Sequence, residues 1–126
     1  MRAADTNVLL RIIVRDDPKQ VEAAESFIEH GAWVSLLALA ETVWNLDSNY
    51  RQDVEAIIQA VEMLLSHERL VLQDADVVEA ALDLFRSRPA LGFSDCLMIE
   101  IARKAGHLPL GTFDRRLARI PGAVRL

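Results

Sequence analysis

The chain has 126 residues and a net charge of −5 at pH 7, and 52% of its residues are hydrophobic. This composition excludes an intrinsically disordered protein and predicts a single domain, residues 1–126, built around one core. The apolar runs are too short to cross a bilayer, so no membrane association is expected, and the single cysteine, Cys96, is typical of a reducing, cytoplasmic compartment.

The first half of the chain predicts alternating strands and helices. MRAAD is predicted as a very short strand, and NVLLRIIVRD as a helix because its apolar residues recur at helical spacing. PKQVEAAESFIEHG starts with Pro and ends with Gly, which are typical helix boundaries. AWVSL predicts a buried strand, which two further helices follow, ALAETVWNLDSNY and QDVEAIIQAVEMLLSH.

The second half continues this alternation. RLVLQ predicts a strand, and DADVVEAALDLFRSR a helix with the acidic start and basic end that the helix dipole favours. SDCLMIEIARKAGH predicts a helix capped by Ser94 and Gly106. LPLGTF predicts a strand, DRRLARI a short helix and GAVRL a last strand. The whole pattern predicts an α/β fold with a mostly parallel central sheet flanked by helices on both faces.

Four of the nineteen acidic residues differ from the others, which fall on helix surfaces. Asp5 and Asp114 each follow a predicted strand, and Asp95 lies in the first turn of a helix. If the two strands are neighbours in one parallel sheet, Asp5 and Asp114 converge at its carboxyl edge. Glu41 lies in the apolar helical segment LLALAETVWNL, where a carboxylate is not freely solvated unless the helix lines a cavity.

Helix capping is the alternative interpretation of Asp5, Asp95 and Asp114, since an aspartate at a helix start accepts backbone N–H groups. Capping does not explain Glu41. Four converging carboxylates would repel one another, and a divalent cation that prefers hard oxygen ligands, Mg²⁺ or Mn²⁺, would relieve the repulsion. The histidines lie near predicted helix ends and Cys96 among apolar residues, so no zinc site is expected.

The chain resembles the PIN-domain ribonucleases, and in particular the VapC-type toxins of VapBC toxin–antitoxin pairs. The resemblance lies in ADTNVLLRIIVRDDPKQ, LALAETVW and FSDCLMIEIARKAGHLPLGTFDRRLARIPGAVRL, which occur in the expected order, and in TFDRRLA near the end. It implies a three-layer PIN-like fold and a metal-dependent endoribonuclease, in which water activated by Mg²⁺ or Mn²⁺ hydrolyses RNA phosphodiester bonds.

The resemblance also implies roles for individual residues. The family's four catalytic carboxylates match Asp5, Glu41, Asp95 and Asp114. Asp5, Asp95 and Asp114 are expected to be metal ligands, and Glu41 to hold a metal-bound water or act as a general base. Asn7 and Thr112 match polar residues expected to support the ligands or position water.

Three arginines follow the last of these acids. Arg115, Arg116 and Arg119 are candidates for binding RNA phosphates, which an acidic chain needs a local basic face to do. A solvated surface is the alternative. Some PIN nucleases carry a further acid or amide at this point, so the number of metal ions stays open. Trp33 and Trp44 could stack on bases, but core packing is the favoured interpretation.

There are three alternatives to this function. A phosphatase of the haloacid-dehalogenase type normally has a second acid where this chain has Asn7. A receiver domain needs a lysine at a strand end, whereas Lys19 and Lys104 both fall in predicted helices. A non-catalytic PIN-fold interaction module stays open, although the intact set of four acids argues against it.

The resemblance finally implies a cognate antitoxin protein and a homodimer. The segments NVLLRIIV and ALAETVWNL are apolar over more than a narrow stripe, which is more than a small domain readily buries on one side. Leu10, Ile13, Leu37 and Trp44 are the candidates for such contacts. A role entirely within the core is the alternative for each of them.

Overall fold

The computed structural model describes all 126 residues, which form five strands and six α-helices. In chain order these are β1 Arg2–Ala3, α1 Thr6–Val14, α2 Pro18–Ile28, β2 Ala32–Val34, α3 Leu36–Ser48, α4 Val54–Ser66, β3 Leu70–Leu72, α5 Ala75–Ser87, α6 Phe93–Ala105, β4 Leu110–Thr112 and β5 Ala123–Arg125. Short 3₁₀ turns lie at Pro89–Leu91 and Leu117–Arg119. Every predicted strand is present, as are six of the seven predicted helices, whereas DRRLARI forms only the 3₁₀ turn Leu117–Arg119. None of the helices combines the length and apolar character needed to span a bilayer.

The chain divides into two compact units, Met1–Ala75 and Asp76–Leu126. The first contains a three-stranded parallel sheet in the order β1-β2-β3, and the second contains the parallel pair β4-β5. The α/β class with parallel strands is therefore confirmed. The expected hydrogen-bonded pairing of the strands before Asp5 and Asp114 does not occur, because β1 pairs with β2 and β4 pairs with β5.

The first unit is held together by helices that pack apolar side chains around its short strands. Val34 of β2, Leu39 and Leu46 of α3, and Val61 of α4 are all fully buried. Three of its helices start at an aspartate whose side chain accepts backbone N–H groups: Asp5 at α1, Asp17 at α2 and Asp53 at α4. Each such cap contributes about 1 kcal/mol. The capping aspartates therefore fix the residue at which each of these helices, and with it the buried apolar side of the helix, begins.

The second unit has its own buried core on α5 and α6. Val78, Cys96 and Ile99 are fully buried, and the Phe85 and Phe93 rings meet edge to face with centroids 5.9 Å apart. Burial raises the pKa of the Cys96 thiol to about 12, so it is neutral at physiological pH. Cys96 is thus a packing residue, as the sequence indicated.

The start of α6 differs from the prediction, whereas its end agrees with it. Gly106 terminates the helix in the left-handed region at φ 81°, which confirms it as the C-cap. The predicted N-cap, Ser94, was wrong, since it is the second residue of the helix. Gly92 occupies the cap at φ 82°, because the chain enters α6 directly from the 3₁₀ turn through a conformation that glycine adopts without strain.

Candidate active site

Asp5 lies at the junction of β1 and α1. One of its carboxylate oxygens, Oδ1, accepts a hydrogen bond of 3.0 Å from the Val8 backbone N–H, so the capping interpretation is confirmed for Asp5. The side chain nevertheless remains exposed. Capping by one oxygen leaves the second oxygen of a carboxylate available to another ligand.

Glu41 is connected to the same helix start by a residue that sequence reasoning did not select. The Thr6 hydroxyl donates a hydrogen bond of 3.0 Å to Glu41 Oε2, and Thr6 directly follows Asp5. Packing of α1 against α3 thus brings Glu41 to the end of α1 that Asp5 caps. Thr6 stands beside Asp5 in the DTN segment, but only the α1–α3 packing reveals which carboxylate it contacts.

The surroundings of Glu41 also differ from the expectation. Its helical neighbours Leu37 and Trp44 are 69% and 60% exposed, and Glu41 is itself exposed. The expectation of a carboxylate shielded from water was therefore wrong, as was core packing for Trp44. This face of α3 is an apolar surface open to solvent. Trp33 is also exposed, at 37%.

The remaining predicted residues of the first unit divide between surface and core. Asn7 is exposed and lines a surface cavity of about 580 Å³ between α1 and α2, together with Arg11 and Phe27. Its side chain contacts neither Asp5 nor Glu41 through a hydrogen bond. Leu10 is only 3% exposed, so it belongs to the core and is not available for the contacts suggested for it.

Asp95 and Asp114 form a second pair, within the second unit. Asp95 lies half-buried in the first turn of α6 and accepts no hydrogen bond within the chain, so the capping interpretation was wrong for it. Burial raises the pKa of Asp95, and the negative charge of Asp114 raises that pKa further. The two carboxylates are therefore close enough to repel each other.

Asp114 is held by backbone groups of the turn that follows it. Its Oδ1 accepts hydrogen bonds from the backbone N–H groups of Leu117, at 2.9 Å, and Arg116, at 2.8 Å. These two bonds, in that order, lower the pKa of Asp114, with a smaller contribution from the Arg116 charge. The Thr112 hydroxyl accepts the Asp114 backbone N–H at 3.0 Å, which ties the end of β4 to this residue. Asp114 is thus a capping residue whose ionised form is favoured.

The donor atoms suit a hard divalent cation. Carboxylate oxygens are the ligands that Mg²⁺ and Mn²⁺ prefer, and the repulsion of Asp95 by Asp114 is of the kind that a cation relieves. The structure contains no group of three or more His, Cys, Asp or Glu side chains arranged to hold a metal ion. The residue types therefore suit the cation, and its site stays a prediction.

The charge of the chain is divided unequally. Residues 1–75 carry six Lys and Arg against thirteen Asp and Glu, a net charge of −7, whereas residues 76–126 carry eight against six, a net charge of +2. Arg115, Arg116 and Arg119 all lie exposed in the second unit. The local basic face that an acidic chain needs for polyanion binding is therefore available there.

Comparison with known proteins gives an independent assignment. The family model described as PIN domain matches residues 3–123. The chain is also similar to a VapC ribonuclease of Aquifex aeolicus (strain VF5), with 29% identity over 126 residues, covering 95% of this chain and 92% of the relative. No solved structure gave a match. Since the family model covers nearly the whole sequence, this chain belongs to the PIN domain family.

Proposed function

We propose that this chain is a metal-dependent endoribonuclease, the toxin of a type II toxin–antitoxin pair, organised as a single PIN domain over residues 1–126. The observation that carries the proposal is that Asp5, Glu41, Asp95 and Asp114 all lack an ion-pair partner, although the chain contains fourteen Lys and Arg. Exposed or half-buried carboxylates that form no ion pair are suited to binding a metal ion. The similarity to a VapC ribonuclease along almost the full length of both chains supports the same activity.

The proposed roles follow the chemistry of the two pairs. Asp5, Asp95 and Asp114 hold the cation, which is Mg²⁺ or Mn²⁺, and Glu41 acts as the general base or holds the attacking water. When bound, the cation supplies Lewis-acid stabilisation of the phosphate and lowers the pKa of water. Water is the expected nucleophile and no protein nucleophile is required. Attack of water on phosphorus with departure of the 3′-oxygen would leave a 5′-phosphate and a 3′-hydroxyl.

The chain's own residues prepare these groups. The Thr6 hydroxyl fixes the rotamer of Glu41 through its 3.0 Å hydrogen bond. The backbone N–H groups of Leu117 and Arg116 keep Asp114 ionised, and Thr112 fixes the backbone that presents it. Asn7 is proposed to position water or substrate from the exposed start of α1. Arg115, Arg116 and Arg119 are proposed to bind phosphates of the RNA.

The proposed partners are a cognate antitoxin and a second copy of the chain, in a cytoplasmic compartment that the single cysteine favours. Leu37 and Trp44 are exposed on α3 on either side of Glu41, so a partner that covers them also covers this carboxylate. An arginine of the antitoxin would pair with exposed carboxylates and displace the cation. The size of the protein alone and with the product of a neighbouring gene tests both interactions.

Cleavage of RNA by the purified protein tests the function. We expect activity with Mg²⁺ or Mn²⁺, none in EDTA, and a loss of about 100-fold or more in Asp5→Asn, since even supporting residues of metal sites cost 10–100-fold. Asp53→Asn is the matched control, because Asp53 caps α4 through its i+3 N–H as Asp5 caps α1.

If Asp5→Asn and Asp53→Asn lose activity equally, Asp5 acts only as a cap. If the wild-type protein cleaves no RNA under any metal condition, the enzyme proposal fails and the interaction-module alternative is favoured.

A further inference from the structure

A surface cavity of about 320 Å³ in the second unit is lined by two segments that are distant in sequence. Residues 87–91, from the end of α5 through the 3₁₀ turn, form one side, and Arg116 and Arg119 form the other. Its size is near the lower end of the roughly 300–1,000 Å³ typical of ligand pockets. It therefore has room for one nucleotide and not for a large cofactor.

Three arginines line this cavity, Arg88, Arg116 and Arg119. None of them forms an ion pair, whereas five other cationic side chains of the protein do. The contrast is clear within one short stretch, because Arg86 pairs with Asp83 at 3.0 Å while Arg88, two residues later, has no acidic partner. The cavity thus concentrates arginines that form no ion pair in a protein that is acidic as a whole, although the charge of Arg116 adds to the backbone hydrogen bonds in lowering the pKa of Asp114.

Like charges around one cavity repel each other, and an anion between them removes the repulsion. A phosphodiester presents two non-bridging oxygens, which guanidinium groups bind through paired N–H donors. The remaining lining is largely apolar, from Pro89, Ala90 and the buried Leu91. Such a wall suits the sugar or base of the same nucleotide rather than a second charged group.

The arginine side of the cavity is positioned by Asp114. The Arg116 backbone N–H donates to Asp114 Oδ1 at 2.8 Å, and the buried side chain of Leu117 anchors the turn that carries Arg119. The same residue thus belongs to the carboxylate pair and holds the arginines. A ligand in the cavity would therefore contact Arg116, which lies two residues along the chain from Asp114 and is hydrogen-bonded to it.

We propose that this arginine cavity binds one nucleotide of the RNA strand, flanking the cleaved bond, with its phosphate between Arg88, Arg116 and Arg119. The identity of the polymer rests on the proposed function, whereas the preference for a phosphate rests on the cavity itself. Arg88 is a new member of the binding surface, and Arg115, which does not line the cavity, is outside this nucleotide site.

Binding of a single-stranded RNA of about twelve nucleotides, measured in EDTA to prevent cleavage, tests the proposal. Each of Arg88→Gln, Arg116→Gln and Arg119→Gln should weaken binding about 5–10-fold, while Arg125→Gln, an exposed arginine without an ion pair outside the cavity, should change it less than about 2-fold. Arg88→Lys, which keeps the charge, should recover part of the loss. Equal melting temperatures of the variants will show that folding is unchanged.

The salt dependence of RNA binding distinguishes one phosphate shared by the three arginines from three phosphates bound separately. Neutralising one phosphate of a single strand contributes about 0.7 to the slope of log K against log salt concentration. In the triple Gln variant this slope should therefore decrease in magnitude by about 0.7. A decrease of about 2 would mean that the arginines bind three separate phosphates and would overturn the one-nucleotide site. A single neutral methylphosphonate placed at successive positions should weaken wild-type binding at one position, and should have no effect there in Arg88→Gln.

The failure of this inference is distinguishable from failure of the proposed function. If the wild-type protein cleaves RNA and the three cavity variants bind RNA like Arg125→Gln, the cavity inference is wrong and the nuclease stands. If no RNA is cleaved but binding still depends on the three arginines and on one linkage, the cavity inference stands alone. If the three cavity variants lose binding to an acidic protein partner but still bind RNA as the wild type does, the cavity inference is also wrong.

Discussion

The two units each present a pair of carboxylates, but they hold these pairs in different ways. In Met1–Ala75, Asp5 caps a helix and Glu41 is held by the Thr6 hydroxyl, on a background of net charge −7. In Asp76–Leu126, burial and the negative charge of Asp114 together raise the pKa of Asp95, on a background of +2 that includes three arginines without ion pairs around one cavity. The first unit thus presents its carboxylates on an acidic background, and the second combines carboxylates with arginines.

This difference shows that an acidic protein can contain a region of net positive charge. In the second unit, backbone N–H bonds to Asp114 place a carboxylate and arginines on the same turn. The other unit supplies carboxylates positioned by a side-chain hydroxyl. The net charge of −5 therefore does not indicate which ligands can bind, because it is the sum of −7 in one unit and +2 in the other.

The largest expected effect comes from removing one carboxylate of each pair. Glu41→Gln and Asp114→Asn should each reduce RNA cleavage about 100-fold or more, and the double variant should be little worse than either one, since residues that act as a unit are not additive. Single-turnover rates measure this. Independent, multiplying losses would show that the two units contribute separately to catalysis.

A smaller effect is expected at the two threonines, and it should differ between the units. Thr6→Val removes the only hydrogen bond that the structure shows for the Glu41 carboxylate and should lower the cleavage rate about 10-fold, with Thr6→Ser restoring it. Thr112→Val should cost less, because two backbone N–H groups still hold Asp114. Equal losses of cleavage rate in Thr6→Val and Thr112→Val would show that Glu41 and Asp114 depend equally on their threonines, contrary to this prediction.

The smallest expected effect concerns stability in the absence of metal. Because the pKa of Asp95 is raised in the folded protein, its contribution to stability is present below the ordinary value of 3.8 and is lost as the pH rises through the raised value. Asp95→Asn should therefore raise the melting temperature in EDTA at about pH 7 by a few degrees, roughly 2–4 °C, and leave it unchanged near pH 3.

Glu79→Gln is the control for this measurement, since Glu79 is exposed on α5 and has no hydrogen-bond or ion-pair partner. It should change the melting temperature at neither pH. A large loss of stability in Asp95→Asn at about pH 7 would instead identify Asp95 as a structural residue.

The sequence was sufficient to predict the local elements because their signals are local. Apolar spacing, the proline at the start of α2 and the glycine after α6 identified the helices and several of their ends. Ser94 was a wrong N-cap because a favourable cap residue lies inside the helix, and the preceding 3₁₀ turn determines where α6 begins. Local residue preferences identify candidate cap residues, and the tertiary path of the chain decides which of them caps the helix.

The candidate site could be predicted only in part for the same reason. The sequence and the PIN resemblance selected four carboxylates by their positions after strands and in the matched segments, and their catalytic role stays a prediction. Only tertiary packing decided that Thr6 contacts Glu41, that α3 exposes Leu37 and Trp44, and that Arg88 meets Arg116 and Arg119 around one cavity. These contacts join residues 28 or more positions apart, a separation at which spacing along the chain carries no information about distance in space.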